Sequence, residues 1–366
     1  MNFAFSDEQE ELRRTIRRFL AATSPEAEVR RVSSTLDGYE PSVWRRLSDQ
    51  LGVQALAVPE AYGGAGFTFL ELGLALQEAG RALLPAPLLS TAFAVATLLC
   101  VDDEQARGDY LPGIATGELL ATTALGEGVA TSAASVQASP AAAGWRLEGQ
   151  AGLVVDGNAA ALLLVPARVE DGIALFALVG DAAGVKRSMA EVLDTTRRLA
   201  HVTLTDAPAR RLGSRAQPWT GLEQAVDLAS IMLAAETLGV AERCLDMAVD
   251  YAKVREQFGR PIGSFQAIKH LLADVLIEVE AARSAVWYAL WQSSVGHDIR
   301  TVASLALATG SEAAYLAASV NLQVHGGLGI TWEHPAQLFL KRATTSRLLL
   351  GDPSAHRERM LRALSY

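Results

Sequence analysis

The 366-residue chain is predicted to be an α+β protein with three parts in series: a helical N-terminal domain over residues 1–120, a β-barrel or β-sandwich over 121–214, and a four-helix bundle over 215–366. Three observations predict it. Apolar residues recur at helical spacing through the first part; from Thr122 to Leu212 they fall into short runs broken by Gly, Pro, Asp and Asn; after Gln217-Pro-Trp, a linker, helical spacing returns in four long stretches.

The first helix opens on a capping box formed by Ser6 and Gln9, and Leu12, Ile16, Phe19 and Leu20 make its apolar stripe. Arg13, Arg14, Arg17 and Arg18 face the other way, with Glu10 set to pair with Arg14 one turn on. Further helices fit Pro41–Leu51, Phe69–Leu83, which Pro85-Ala-Pro87 stops, and Ser90–Leu99; Val58–Phe67 is a Gly-rich loop. Strands of a small antiparallel barrel or sandwich fit Trp145–Leu147, Gly152–Val155, Ala161–Val165, Ile173–Val179 and Leu199–Leu204. The bundle helices lie near Thr220–Ala252, Phe265–Ser294, Ile299–Val324 and Pro335–Leu349. In the second of these, Ile268, Leu271, Leu272, Val275, Val279, Ala282 and Val286 hold one face for about 18 residues, roughly 27 Å of rise.

Composition narrows the function classes. Half the residues are apolar, enough for a sizeable core, yet no apolar run reaches the roughly 18–20 residues that span a bilayer. The acidic start, Met1-Asn-Phe-Ala-Phe-Ser-Asp-Glu, lacks the basic segment of a signal peptide, so a cytoplasmic protein is expected. A formal charge of −9 disfavours nucleic acid and anionic membrane as partners. Cys100 and Cys244 are far apart without CxxC spacing and are expected to be reduced and buried. The six histidines show neither HxxxH nor HExxH spacing, so no metal site is expected, and there is no Gly-x-Ser-x-Gly elbow.

Two stretches carry recognisable chemistry. In Tyr251-Ala-Lys-Val-Arg-Glu-Gln-Phe-Gly-Arg-Pro-Ile-Gly-Ser-Phe-Gln266, Arg255 places a guanidinium fork just beyond a long helix, beside Gln257 and Phe258. A fork suits a diphosphate, an amide gives hydrogen bonds and an aromatic ring packs on a purine. The plainer alternative is an exposed helix end with Arg255 paired to Glu256 or Glu242. In Gln323-Val-His-Gly-Gly-Leu-Gly-Ile330, Gly326 and Gly327 end a helix, as a simple C-cap would; the glycines follow no strand, so they are not a dinucleotide fingerprint.

At this spacing the two stretches resemble the acyl-CoA dehydrogenase flavoprotein family, and the order of helices, strands and bundle extends the resemblance over nearly the whole chain. The resemblance implies FAD as cofactor, an acyl-CoA as substrate and electron-transfer flavoprotein as acceptor. It also implies that Arg255, Gln257, Phe258, Gln266, Gln323, Gly326 and Gly327 reach the diphosphate and adenosine end of the FAD in a neighbouring subunit, not the chain's own.

Other family positions are empty. The family reaction needs a carboxylate beside the substrate α-carbon and hydrogen bonds to the developing enolate. Most members supply it from Tyr-Glu-Gly-Thr; aligning Leu348-Leu-Leu-Gly-Asp-Pro353 on Gly351 puts Leu350 at the glutamate. A branch of the family places its base on the first bundle helix, where this chain has Ala229, followed by Ser230. Asp352 is either a displaced base or the N-cap of a last helix from Ser354, and Glu236 either a functional acid or one half of an ion pair with an arginine. The family's own-subunit flavin cradle, Thr-Glu-Pro-Gly-x-Gly-Ser-Asp, corresponds to Ala124–Ser132, without the proline or Gly-Ser-Asp, and Leu153 and Val155 stand at the Trp and Thr that face the flavin ring. Trp332-Glu-His-Pro335 and Leu350–Pro353 also resemble a group of actinobacterial acyl-CoA dehydrogenases of sterol side-chain degradation, α2β2 assemblies with one degenerate subunit type. The expected role is therefore that degenerate subunit beside a homologous catalytic one. The alternatives are a self-sufficient homo-oligomer with a base such as Asp352, and an assembly subunit without flavin.

Overall fold

The computed structural model describes residues 5–126, 135–142, 144–170, 172–213 and 220–364. Its α-helices of six residues or more are α1 (Asp7–Thr23), α2 (Glu26–Ser33), α3 (Pro41–Arg46), α4 (Phe69–Arg81), α5 (Leu88–Cys100), α6 (Glu104–Ala115), α7 (Thr220–Val254), α8 (Gln266–Ser294), α9 (Arg300–His325), α10 (Ala336–Ser346) and α11 (Pro353–Leu364), with a single helical turn at Gly327–Ile330. The strands are β1 (Ala121–Thr123), β2 (Val136–Ala141), β3 (Gly144–Val155), β4 (Leu162–Val169), β5 (Gly172–Val179), β6 (Val185–Met189) and β7 (Leu199–Leu212), with a small pair, β8 (Glu256–Gln257) and β9 (Arg260–Pro261). The architecture is thus an N-terminal helical domain, a middle β domain and a C-terminal helical domain, as expected. The chain packs as two compact units, one of Met1–Arg30, Gly73–Leu84 and Leu233–Tyr366, the other of Arg31–Leu72 and Pro85–Met232.

The first unit is helical. Ser6 and Gln9 make both bonds of the capping box at the start of α1. Glu10 pairs with Arg13 at 3.1 Å rather than with Arg14, which turns to Glu11. Nor do all the arginines face solvent: Arg17 grips Glu78 with two bonds of 2.8 Å, and the Glu78 side chain is 1% exposed. Buried Glu242 is met by Arg283 at 3.0 and 2.8 Å and by Gln77 at 3.0 Å, and Trp287 donates to Gln77 at 3.3 Å. Glu78 and Glu242 thus each have compensating donors, the condition under which buried charge is tolerated.

Helices α4 and α7 meet backbone to backbone. A methyl on Gly80 would overlap the carbonyl oxygen of Glu236, and one on Gly239 would overlap that of Gln77. The fourth helical pattern of the C-terminal part is α10, a turn shorter than expected; after a break at Leu350 (φ 62) and Gly351 (φ 110) comes the last helix, α11, and both pack on α9. In α8 the buried stripe is Val275, Val279, Ala282, Val286, Ala289 and Leu290, while Leu276 and Ile277 stay 47% and 65% exposed.

The second unit holds the β domain. Strands β4, β2, β3, β7 and β5 follow one another, and β5 returns to pair with β4, closing a ring. The pairing is mostly antiparallel; β1 on β4 and the single β2–β4 contact, Gln137 with Arg168, are parallel. Val136, Leu147, Leu163, Val165, Phe176 and Val202 fill the barrel core, and Trp145 packs on Phe176 with centroids 5.4 Å apart. What reads in sequence as two short strands, Trp145–Leu147 and Gly152–Val155, is one strand, β3, with register shifts against β7 at Leu147/Gly149 and Gln150/Leu153.

Among the described residues one helix, Gly221–Val254, is long and apolar enough to cross a membrane, and 94% of its apolar window is buried within the protein. Its apolar positions are broken by buried polar residues, Asp227, Ser230, Glu236 and Glu242, which is why no uninterrupted run shows in the sequence.

Candidate functional site

The chain leaves α7 at Arg255, whose N–H still donates to Tyr251 at 2.9 Å, and turns at once into a tight hairpin. Glu256 pairs with Pro261 and Gln257 with Arg260, so Phe258 and Gly259 form a two-residue tip. Both tip residues have positive φ, 54° and 74°, the signs of a type I′ turn; glycine adopts this freely, while for Phe258 it is an uncommon conformation. Ile262 N–H donates back to the Arg255 carbonyl at 2.7 Å and ties the base of the hairpin. Phe258 is 91% exposed and meets Phe265 edge-on at 6.1 Å, while the Arg260 guanidinium lies 4.2 Å from the Phe265 ring centre.

A stack of rings brings the second stretch alongside. Tyr251, on the last turn of α7, stacks on His325 at 4.2 Å, and His325 meets His334 at the same distance. His325 is buried and its Nδ1 lies 2.8 Å from the Asn321 carbonyl, so Nδ1 carries the proton. Burial, then the neighbouring His325, hold His334 below the ordinary imidazole value. One residue beyond His325, Gly326 ends α9 with φ 56 and ψ −135, and its N–H donates to the Gln323 carbonyl at 3.1 Å. No atom stands within 4 Å of where a side chain would begin on Gly326 or Gly327, so their backbone is open to approach.

All seven expected contact residues are thus on one unit and exposed: Arg255, Gln257, Phe258, Gln266, Gln323, Gly326 and Gly327. Arg255 makes no hydrogen bond or ion pair with another side chain among the described residues. Glu242, one of its two candidate acids, is taken by Arg283 and Gln77. The ring stack that joins the two stretches is the part that sequence reasoning missed: Tyr251 and His325 both lie within them, but nothing in their spacing announces a contact.

The remaining candidates are placed as follows. Leu350 is 5% exposed at a left-handed backbone position. Asp352 is exposed and its Oδ1 accepts the Ala355 N–H at 2.8 Å, the geometry of an N-cap on α11. Glu236 is buried and paired with Arg342 at 3.1 Å. Ala229 is fully buried, and the Ser230 hydroxyl donates to the Val226 carbonyl at 2.7 Å. Leu153 is 38% exposed and Val155 buried. Of the segment Ala124–Ser132, residues 127–132 lie outside the described residues, as does the linker at 217–219. Among the described residues no group of three or more His, Cys, Asp or Glu is placed to hold a metal ion.

Residues 219–365 match the family model for the acyl-CoA dehydrogenase C-terminal domain, and residues 6–118 that for the acyl-CoA dehydrogenase N-terminal domain. The chain is 36% identical over 357 residues to acyl-CoA dehydrogenase IpdE2 of Mycolicibacterium smegmatis, covering 97% of this chain and 98% of that protein. Among solved structures it is similar to the Tcur3481-Tcur3483 steroid ACAD, at TM-score 0.91 and 33% identity over 98% of each chain. It is also similar to the ChsE4-ChsE5 complex from Mycobacterium tuberculosis, at TM-score 0.92 and 29% identity over 100% of this chain and 99% of that one. The chain belongs to the acyl-CoA dehydrogenase family, flavin-dependent oxidoreductases that act on CH–CH bonds.

Proposed function

We propose that this chain is the partner subunit of a heteromeric, cytoplasmic acyl-CoA dehydrogenase, completing the FAD site of a homologous catalytic subunit in an α2β2 assembly and supplying no catalytic base. The observation that carries it is the pairing of an exposed, unengaged Arg255 and a presented Phe258 ring with a hydrocarbon, Leu350, at the usual base position. The residues fit one end of FAD. Arg255 would meet the diphosphate, Phe258 the adenine face, and the open backbone at Gly326 and Gly327, with Gln323, Gln257 and Gln266, the remaining polar edge. Bound FAD supplies a hydride acceptor for the α,β-desaturation of an acyl-CoA, and electron-transfer flavoprotein is the expected acceptor thereafter.

Each residue's part in that chemistry is binding rather than proton transfer. Neither Leu350 nor Ala229 can take a proton, and Asp352 spends an oxygen on the first turn of α11. The names of two similar structures, each joining two designations, support a two-chain assembly, and the word steroid in one supports a ring-bearing acyl group as the substrate class. Purified alone, the chain is expected to be colourless or poorly loaded, and to become yellow and active when co-expressed with a complete homologue. A fully flavin-loaded, active protein obtained from this chain alone would overturn the proposal.

A further inference from the structure

The helical unit also contains a cavity of about 380 Å³ walled by segments of α1, α2, α4, α7 and α10, within the roughly 300–1,000 Å³ range of small-molecule sites. Leu20, Met247, Leu338 and Phe339 give it apolar walls. Its charged residues are neutralised in place, with one exception. Arg17 is held by Glu78 at 2.8 Å, Arg81 by Asp246, and Glu26 by Arg30 at 2.7 Å. Arg243, half-buried on the wall, makes no hydrogen bond or ion pair among the described residues. A second polar group on the same wall is also unmet: Ser24 is 7% exposed and its hydroxyl has no hydrogen-bond partner among the described residues. A buried hydroxyl without a partner is costly unless something meets it, and the half-buried, unpaired Arg243 beside it is free to meet an anion.

We propose that this cavity binds a monoanionic amphiphile, a single carboxylate on a compact apolar body, with the carboxylate met by Arg243 and the Ser24 hydroxyl. The charge balance selects the sign, since one positive charge is left after every other charged wall residue is paired. The walls select the body, and the volume limits it to a small molecule. This is a second site, independent of whether the chain is a degenerate or a self-sufficient dehydrogenase.

Octanoate is the probe, titrated into the full chain by calorimetry, with octan-1-ol as the same tail without charge. Octanoate is expected to bind and octan-1-ol to bind more weakly. Arg243→Gln is expected to weaken octanoate about ten- to a hundredfold and Ser24→Ala about two- to tenfold, with octan-1-ol unaffected by the first. Ala21→Trp, at an exposed position on the cavity rim, is expected to block both ligands while leaving the fold intact, as judged by an unchanged melting profile. Arg243→Lys should recover part of the affinity. No measurable octanoate binding, equal affinity for octan-1-ol, or octanoate binding that survives both Arg243→Gln and Ala21→Trp would overturn the proposal; the last result would place octanoate elsewhere, such as in an acyl-binding site.

Discussion

Asp352 is a residue whose sequence context, Gly-Asp-Pro, admits two roles, and its hydrogen bond to Ala355 describes one of them. An N-cap contributes typically about 1 kcal/mol, whereas loss of a general base costs about 10²–10⁴ in rate. Asp352→Asn keeps a capping oxygen and is expected to leave the turnover of the assembled enzyme within about twofold, as is Leu350→Ala, when complexes of equal flavin content are compared. A hundredfold fall in the Asp352 variant would assign it proton transfer and make the chain a dehydrogenase with a relocated base. Its neighbour His356 is 3% exposed beside Gly351. Burial, then the Arg359 guanidinium, push its imidazole down to about 4 from 6.5, with Asp352 and the Leu350 backbone opposing. Because the folded form releases its proton more readily than the unfolded chain, the unfolded state binds more protons between those values. Stability is therefore expected to fall as pH drops from about 6.5 towards 4, by about 1.4 kcal/mol per unit from this group. His334, also lowered, adds in the same direction. Denaturant unfolding at pH 6.5 and 5 should show a shallower loss for His356→Gln than for the native chain; equal slopes would mean that His356 titrates normally.

At the scale of elements, the hairpin of β8 and β9 leaves the Arg255 side chain exposed at its base and the Phe258 ring exposed at its tip, against the edge of Phe265. Arg255→Ala is expected to weaken FAD retention by the assembled complex about ten- to a hundredfold, the worth of a charge-assisted bidentate contact. Flavin titration of native and variant complexes checks it, and equal affinities would reduce Arg255 to a surface residue. Which elements were legible follows physical lines. The capping box and apolar stripe announced α1 because both are local. Helix α6 was hidden by Gly108 and Pro112 inside it, although Asp103 caps it at 2.8 Å through Ala106. β2, Val-Gln-Ala-Ser-Pro-Ala, alternates only with small residues after Val136 and carries a proline, so it lacks the bulky apolar signal of a strand, and β3 was read as two pieces because its bulges interrupt the apolar alternation. For the candidate site, residue identity alone nominates Arg255 and Leu350, because a guanidinium fork and a hydrocarbon differ in the chemistry they can do. The site was not legible where partners come from far along the chain, as with Tyr251 on His325 or Arg342 on Glu236.

At the scale of the whole molecule, the three-part order of helices, strands and helices was readable because periodicity changes sharply between the parts. Compactness cuts across that order: two N-terminal stretches, Met1–Arg30 and Gly73–Leu84, belong to the unit of the C-terminal helices. No local pattern encodes such a grouping, since it depends on glycine contacts, on ion pairs such as Arg17 with Glu78 and on hydrogen bonds such as Gln77 to Glu242. The closed ring of strands bears on a hazard common to β domains. An open sheet offers a row of unpaired amides and carbonyls on which other chains nucleate aggregates. Here β5 returns to β4, and β6, five residues long and bonded on one side to β7, carries Lys186 and Arg187. Among the described residues the β domain therefore leaves little exposed strand edge on which copies of the chain can accumulate during folding.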